Sequence, residues 1–144
     1  LIVLDDQHGT FLALLPPDAL LRAVDRSTVE LALVTGTGSD DVTVRLPFRE
    51  DLTNDGVVYH GGVVASLLDT AGAAAAWSNH DFGRGTRAGT VAMSVQYVGS
   101  CKRSDLICTA RTVKRGRELI FTEITATDDA GRVVAHAVQT YRIV

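Results

Sequence analysis

Four positions near the middle of the chain have the types and spacing for hydrolytic chemistry. They are Asn54, the pair His60-Gly61, and Asp69, within the stretch NDGVVYHGGVVASLLD. Asp69 is the one charged residue between His60 and Asn79, set among glycines, alanines, valines and leucines. A carboxylate left unpaired in such surroundings is costly, so it is expected to have partners and a use. The use open to it is to attack a carbonyl, or to take a proton from a water that does. The alternative is an outward-facing helical aspartate, and the apolar neighbours argue against it.

His60, Gly61 and Gly62 fall where a helix should begin. The first amides of a helix lack internal acceptors and lie at the positive end of its dipole, so they can hold a developing oxyanion. Glycine matters there because a Cβ would keep a carbonyl away. Asn54, on the loop ahead, carries an amide that can orient a water. Its competing role is support of the Asn54-Asp55-Gly56 bend.

These residues need a frame. The segment from Gly61 to Ser78 is predicted as the long helix, with Val64, Leu67, Leu68, Ala71 and Ala75 spaced for a buried face. Its second half, AGAAAA, has almost no side-chain bulk and would let a curved sheet close in around it. Residues 11–24 are expected to form a short helix after Pro16-Pro17. The run from Ser27 to Phe48 predicts two strands with a turn at Gly36 to Asp41. From Arg87 onward, four β-rich runs separated by GSCKRS, RGR and DDAG predict an antiparallel meander. One long helix and about six strands make a single α+β domain over residues 1–144.

Composition sets outer limits. The chain has 144 residues, a formal net charge of -3 and 22% charged residues, which gives no ground for a nucleic-acid partner. Cys101 and Cys108 match neither zinc-ligand nor CxxC spacing, and the histidines show no ligand pattern, so no metal is expected. The opening apolar run is too short for a signal peptide or a membrane span, and a cytoplasmic location is expected. No GxSxG elbow is present. Eight of the fourteen Lys and Arg residues lie between Arg84 and Arg117, which leaves room for a local anion site.

Taken together, Asn54, Gly56, His60-Gly61-Gly62 and Asp69 resemble the signature of hotdog-fold acyl-CoA thioesterases of the phenylacetate-pathway (PaaI) type. The likeness runs from about Val42 to the end and is weakest over residues 1–40. It implies a hotdog fold, an antiparallel sheet wrapped around one long central helix, and hydrolysis of acyl-CoA thioesters. It further implies that Asp69 is the catalytic carboxylate, that Gly61 N–H polarises the thioester, and that His60 positions the loop or the thioester. Thr90 matches a strand position that carries Ser or Thr near the nucleophilic water, although β propensity alone also explains it. Gly62, Thr90 and Val91 then line the substrate site. Arg115, Gly116 and Arg117 are the preferred contacts for the coenzyme A phosphates. No cofactor is expected, since coenzyme A enters as part of the substrate. The expected partners are an acyl-CoA and further copies of the chain, as a homodimer or homotetramer with the site at the subunit interface. A noncatalytic acyl-CoA binding module and a hotdog dehydratase or hydratase are the rival readings.

Overall fold

The computed structural model describes residues 33–37 and 39–144. The helix expected over residues 11–24 lies outside them. The described residues form six strands and one long helix: β1 Leu33–Thr37, β2 Asp41–Leu46, α1 Gly61–Ser78, β3 Ala88–Tyr97, β4 Leu106–Arg115, β5 Leu119–Thr127 and β6 Val133–Ile143. Short 3₁₀ turns at Glu50–Leu52 and Phe82–Arg84 flank the helix on either side.

All strands join one antiparallel sheet in the order β1-β2-β4-β5-β6-β3. Two expectations are corrected here. The hairpin turn is shorter than Gly36 to Asp41, because β1 continues through Gly36 and Thr37 with a register irregularity after Val34. The four later strands also do not form one meander. β4, β5 and β6 do, but β3 pairs with β6 at the far edge. The reason lies in α1, which separates β2 from β3 and delivers the chain to the opposite side of the sheet. The β3–β4 connection then returns across the helix entrance, with Tyr59 N–H donating to Cys101 O at 3.2 Å and Val58 bridging to Lys102.

The strands alternate as half-covered strands should. In β5, Ile120, Thr122, Ile124 and Ala126 point inward, and in β2 Val42, Val44 and Leu46 do so. The helix lies across this inner face. Val64, Leu67, Leu68, Ala71 and Ala75 are all buried, as their spacing predicts, and Leu68 is fully enclosed. Full burial of a leucine side chain contributes about 1.5–3 kcal/mol. From Ala71 to Trp77 every residue is buried, which the small side chains allow because the sheet curves closely around that half. The first half differs. Gly62 and Ser66 are exposed and Asp69 is half-buried, and their spacing puts them on one open face of the helix.

β3 is the other uncovered element. Apart from the half-buried Met93 and Val95, all of its residues are exposed, and its outer edge pairs with no described strand.

Candidate active site

The helix begins on His60, whose Nδ1 accepts the Gly62 N–H at 2.9 Å. An imidazole that accepts at Nδ1 carries its proton on Nε2. Gly62 is needed for this cap, since a Cβ there would lie 2.9 Å from Nδ1. The amides of Val63 and Val64 both donate to His60 O. That leaves Gly61 N–H as the first-turn amide with no acceptor among the described residues, at the positive end of the helix dipole. Tyr97, from β3, lies over the same turn and donates its hydroxyl to Gly61 O at 3.1 Å.

Asn54 sits on the loop ahead, and its side chain takes no part in building it. Asp55 Oδ1 accepts from Val57 N–H and Val58 N–H at 3.0 and 2.8 Å, and Thr53 Oγ1 accepts from Gly56 N–H at 2.7 Å. Gly56 has φ +79°, the left-handed region that favours glycine. Asp55, Thr53 and Gly56 hold the bend. The Asn54 side-chain amide remains exposed, with no hydrogen bond among the described residues, while its backbone N–H donates to Val58 O at 2.9 Å.

Asp69 is held from the sheet. Its Oδ1 accepts from Thr90 Oγ1 at 2.7 Å and from Gln139 Nε2 at 2.6 Å. Gln139 is buried at 2% exposure, and its Oε1 in turn accepts from the buried Thr122 hydroxyl at 3.2 Å. Gly72, one helical turn after Asp69, makes room for this glutamine: a Cβ there would lie 2.3 Å from Gln139 Oε1. Both Asp69 contacts fall on Oδ1, so neither Thr90 nor Gln139 occupies Oδ2.

Gln139 and Thr122 escape a motif search, yet strand parity marks Gln139. On β6 it shares the inward parity of Ala135, Ala137, Tyr141 and Ile143, where a polar side chain needs a partner. Tyr97 has no comparable signal.

The remaining predicted residues are scattered. Val91 is 59% exposed, at a register shift in β3 between Thr90 and Ala92. Arg115 is committed elsewhere: its guanidinium donates to Asp40 Oδ1 and, at 2.8 Å, to Ala76 O at the end of α1. Gly116 turns the β4–β5 hairpin, with its N–H on Leu119 O at 2.8 Å. Arg117 is exposed, and its side chain has no partner among the described residues. Leu67 and Leu68 belong to the core between helix and sheet. Among the described residues no His, Cys, Asp and Glu cluster suits a metal ion, and no helix is long and apolar enough to cross a membrane.

A single sheet wrapped around one long helix agrees with what comparison with known proteins shows. The sequence model of the thioesterase superfamily matches residues 56–135. The chain belongs to this family. Within it, the chain is 30% identical over 121 residues to acyl-coenzyme A thioesterase 13 of Homo sapiens, covering 83% of this chain and 84% of that protein. A putative esterase of Halobacterium salinarum is 32% identical over 100 residues, and the match spans 67% of this chain and 66% of that protein. Among solved structures, zebra fish thioesterase superfamily member 2 superposes with a TM-score of 0.74 at 26% identity, over 85% of this chain and 88% of the other. A hypothetical thioesterase from Streptococcus pneumoniae, solved with coenzyme A, gives a TM-score of 0.72 at 22% identity, over 82% of this chain and 89% of the other, a likeness of fold. The hotdog fold is thus the family's own, an antiparallel sheet wrapped around one long helix, with β3 at the edge beside β6.

Proposed function

We propose that this chain hydrolyses acyl-CoA thioesters to the free acid and coenzyme A, in the manner of the phenylacetate-type thioesterases that its motif resembles. The observation that carries this reading is Asp69 Oδ1, held by Thr90 and Gln139 on an otherwise apolar stretch of helix. A carboxylate fixed through one oxygen keeps the other for chemistry. A water, oriented by the Asn54 amide, passes its proton to Oδ2 as its oxygen bonds to the thioester carbon. The carbonyl oxygen gains the negative charge and accepts from Gly61 N–H. Collapse of the tetrahedral species breaks the C–S bond, and the leaving thiolate takes up a proton. The relative named acyl-coenzyme A thioesterase 13 and the thioesterase solved with coenzyme A support the substrate class.

The reaction needs two copies of the chain. Gly61 and Asp69 are eight residues apart on one helix, a separation of about 12 Å along its axis, too far for both to act on one carbonyl. Two uncovered features suit a partner: the free edge of β3, and the helix face of Gly62, Ser66 and Asp69. In the pair, Asp69 of one protomer faces His60, Gly61 and Asn54 of the other. A tetramer would repeat the same pairing.

The test is release of coenzyme A from a panel of aliphatic and aromatic acyl-CoAs, by the wild type and by Asp69→Asn checked for folding. Turnover that falls at least about a hundredfold in Asp69→Asn supports the carboxylate mechanism. Binding of acyl-CoAs without hydrolysis by the wild type would replace this reading with that of a noncatalytic binding module. Single turnover in ¹⁸O water separates the two carboxylate roles: label entering Asp69 would show direct attack by the carboxylate.

A further inference from the structure

The amide of Gly61 sits in a Gly61-Gly62 pair, the most permissive backbone with which a helix can start. Permissive backbone does not aim a donor unless something holds it. The peptide unit joining Gly61 to Gly62 is held by side chains at both of its polar atoms. Its N–H donates to His60 Nδ1 at 2.9 Å, and its carbonyl accepts from the Tyr97 hydroxyl at 3.1 Å. The Tyr97 ring also lies along Gly61, with Cε1 3.7 Å from where a Cβ would be. In the preceding unit the His60 carbonyl is taken by the amides of Val63 and Val64, so the Gly61 N–H stands open in a frame whose other polar atoms are gripped.

The tyrosine is itself placed by the sheet. Tyr97 ends β3, paired with Ala135 of β6, and the next two amides, of Val98 and Gly99, both donate to Val134 O at 3.0 Å. Gly99 permits this tight crossing, since a Cβ there would lie 2.5 Å from Val133 O. The reach of the hydroxyl is therefore set by strand geometry.

We infer that Tyr97 is a positioning residue for the oxyanion amide. With the phenol in place, the Gly61–Gly62 unit cannot tilt about Gly61 Cα, and the Gly61 N–H keeps one direction as the thioester oxygen gains charge. The inference rests on the thioesterase reading and adds to it a single ruler for both halves of the chemistry. β3 holds Asp69 through Thr90 and the Gly61–Gly62 unit through Tyr97, seven residues apart, about 23 Å of strand. In the pair of protomers each β3 then serves both sites, its Tyr97 the amide of one and its Thr90 the carboxylate of the other.

The experiment compares wild type with Tyr97→Phe, which keeps the ring and removes the donor. Tyr97 is 54% exposed, so the fold should hold, and thermal melting checks that it does. For an acyl-CoA, kcat is expected to fall about tenfold with KM changed less than about twofold, the split of an interaction realised in the transition state. An acyl-CoA analogue with a methylene in place of the thioester sulfur presents a ketone that is not hydrolysed. Its ¹³C-labelled carbonyl stretch, lowered on the wild type by the Gly61 N–H, should move back up and broaden on the variant, whereas a purely structural role would leave the band in place. With no ligand bound, the Gly62 amide should exchange with deuterium severalfold faster in the variant. An unchanged kcat, an unmoved band or an unchanged exchange rate overturns the assignment. A wild type that hydrolyses no acyl-CoA, yet binds the ketone with a band that depends on Tyr97, overturns the thioesterase reading and leaves the positioning role standing.

Discussion

The amide of Gln139 reaches out of the sheet to Asp69 on the helix, Nε2 to Oδ1 at 2.6 Å, and also contacts the Asp69 backbone carbonyl at 3.2 Å. One buried side chain therefore fixes both the carboxylate and the turn that carries it. Replacing Gln139 with Met keeps the volume and removes the donor. We expect kcat to fall about tenfold with KM little altered, because what is lost is the aim of the carboxylate. Steady-state kinetics on Gln139→Met, beside thermal melting, checks this; a kcat at the wild-type value would show that Thr90 alone suffices.

Gly72 gives a sterically sharper test. An alanine there would set a methyl 2.3 Å from Gln139 Oε1 and 3.0 Å from Ile124 Cδ1, both in the packed interior. Gly72→Ala removes a helix glycine, which by propensity alone would stabilise by about 1 kcal/mol. Overpacking should outweigh that and destabilise by about 1–3 kcal/mol, with loss of activity as Gln139 is displaced. Denaturant unfolding reports the sign.

The two cysteines are expected to be inert in the folded protein. Cys101 and Cys108 are almost fully enclosed, and burial pushes their thiols up to about 11 and about 12 respectively. A thiol reagent at pH 8 should label neither until denaturant is added, when both react. Rapid labelling of the native protein would mean that the core opens locally.

Asp40 makes stability depend on acid. Burial acts to raise its carboxyl, but hydrogen bonds from Arg115 and Asn79, with the Arg115 charge, outweigh that and hold it below the usual value. Its contribution is therefore complete above about pH 4, the unfolded value, and is lost as pH falls through the lower folded one. Arg115→Met should cost about 1–2 kcal/mol at pH 7 and less at pH 3, read from urea melts at the two pH values.

Much of this arrangement was legible because it is local. The helix from Gly61 to Ser78 follows from its spacing and its alanines, and His60, Gly61 and Asp69 fall at the helix start and about two turns into it. The late strands follow from their β-branched runs. What pattern reading missed depends on distant partners. The place of β3 at the sheet edge depends on pairing with β6, some 45 residues away, and nothing in its own composition states that. The commitment of Arg115 to Asp40 spans 75 residues, so a basic hairpin end that looked available for phosphates is already bound. Gln139 was readable in principle, since a polar residue at inward parity demands a partner, but the motif drew attention to the helix side of the pair alone.

Arg115 also gives the helix an electrical polarity. Its guanidinium meets the carbonyl of Ala76, and Thr112 meets that of Ala75, at the end where the helix dipole is negative. A cation there neutralises the negative pole and pins it to the β1–β2 hairpin through Asp40. The positive pole, at Gly61, has no such counter-charge built into its first turn. The helix thus behaves like a terminal with one end grounded and the other left live, and the live end is the one at which a thioester oxygen would acquire its charge.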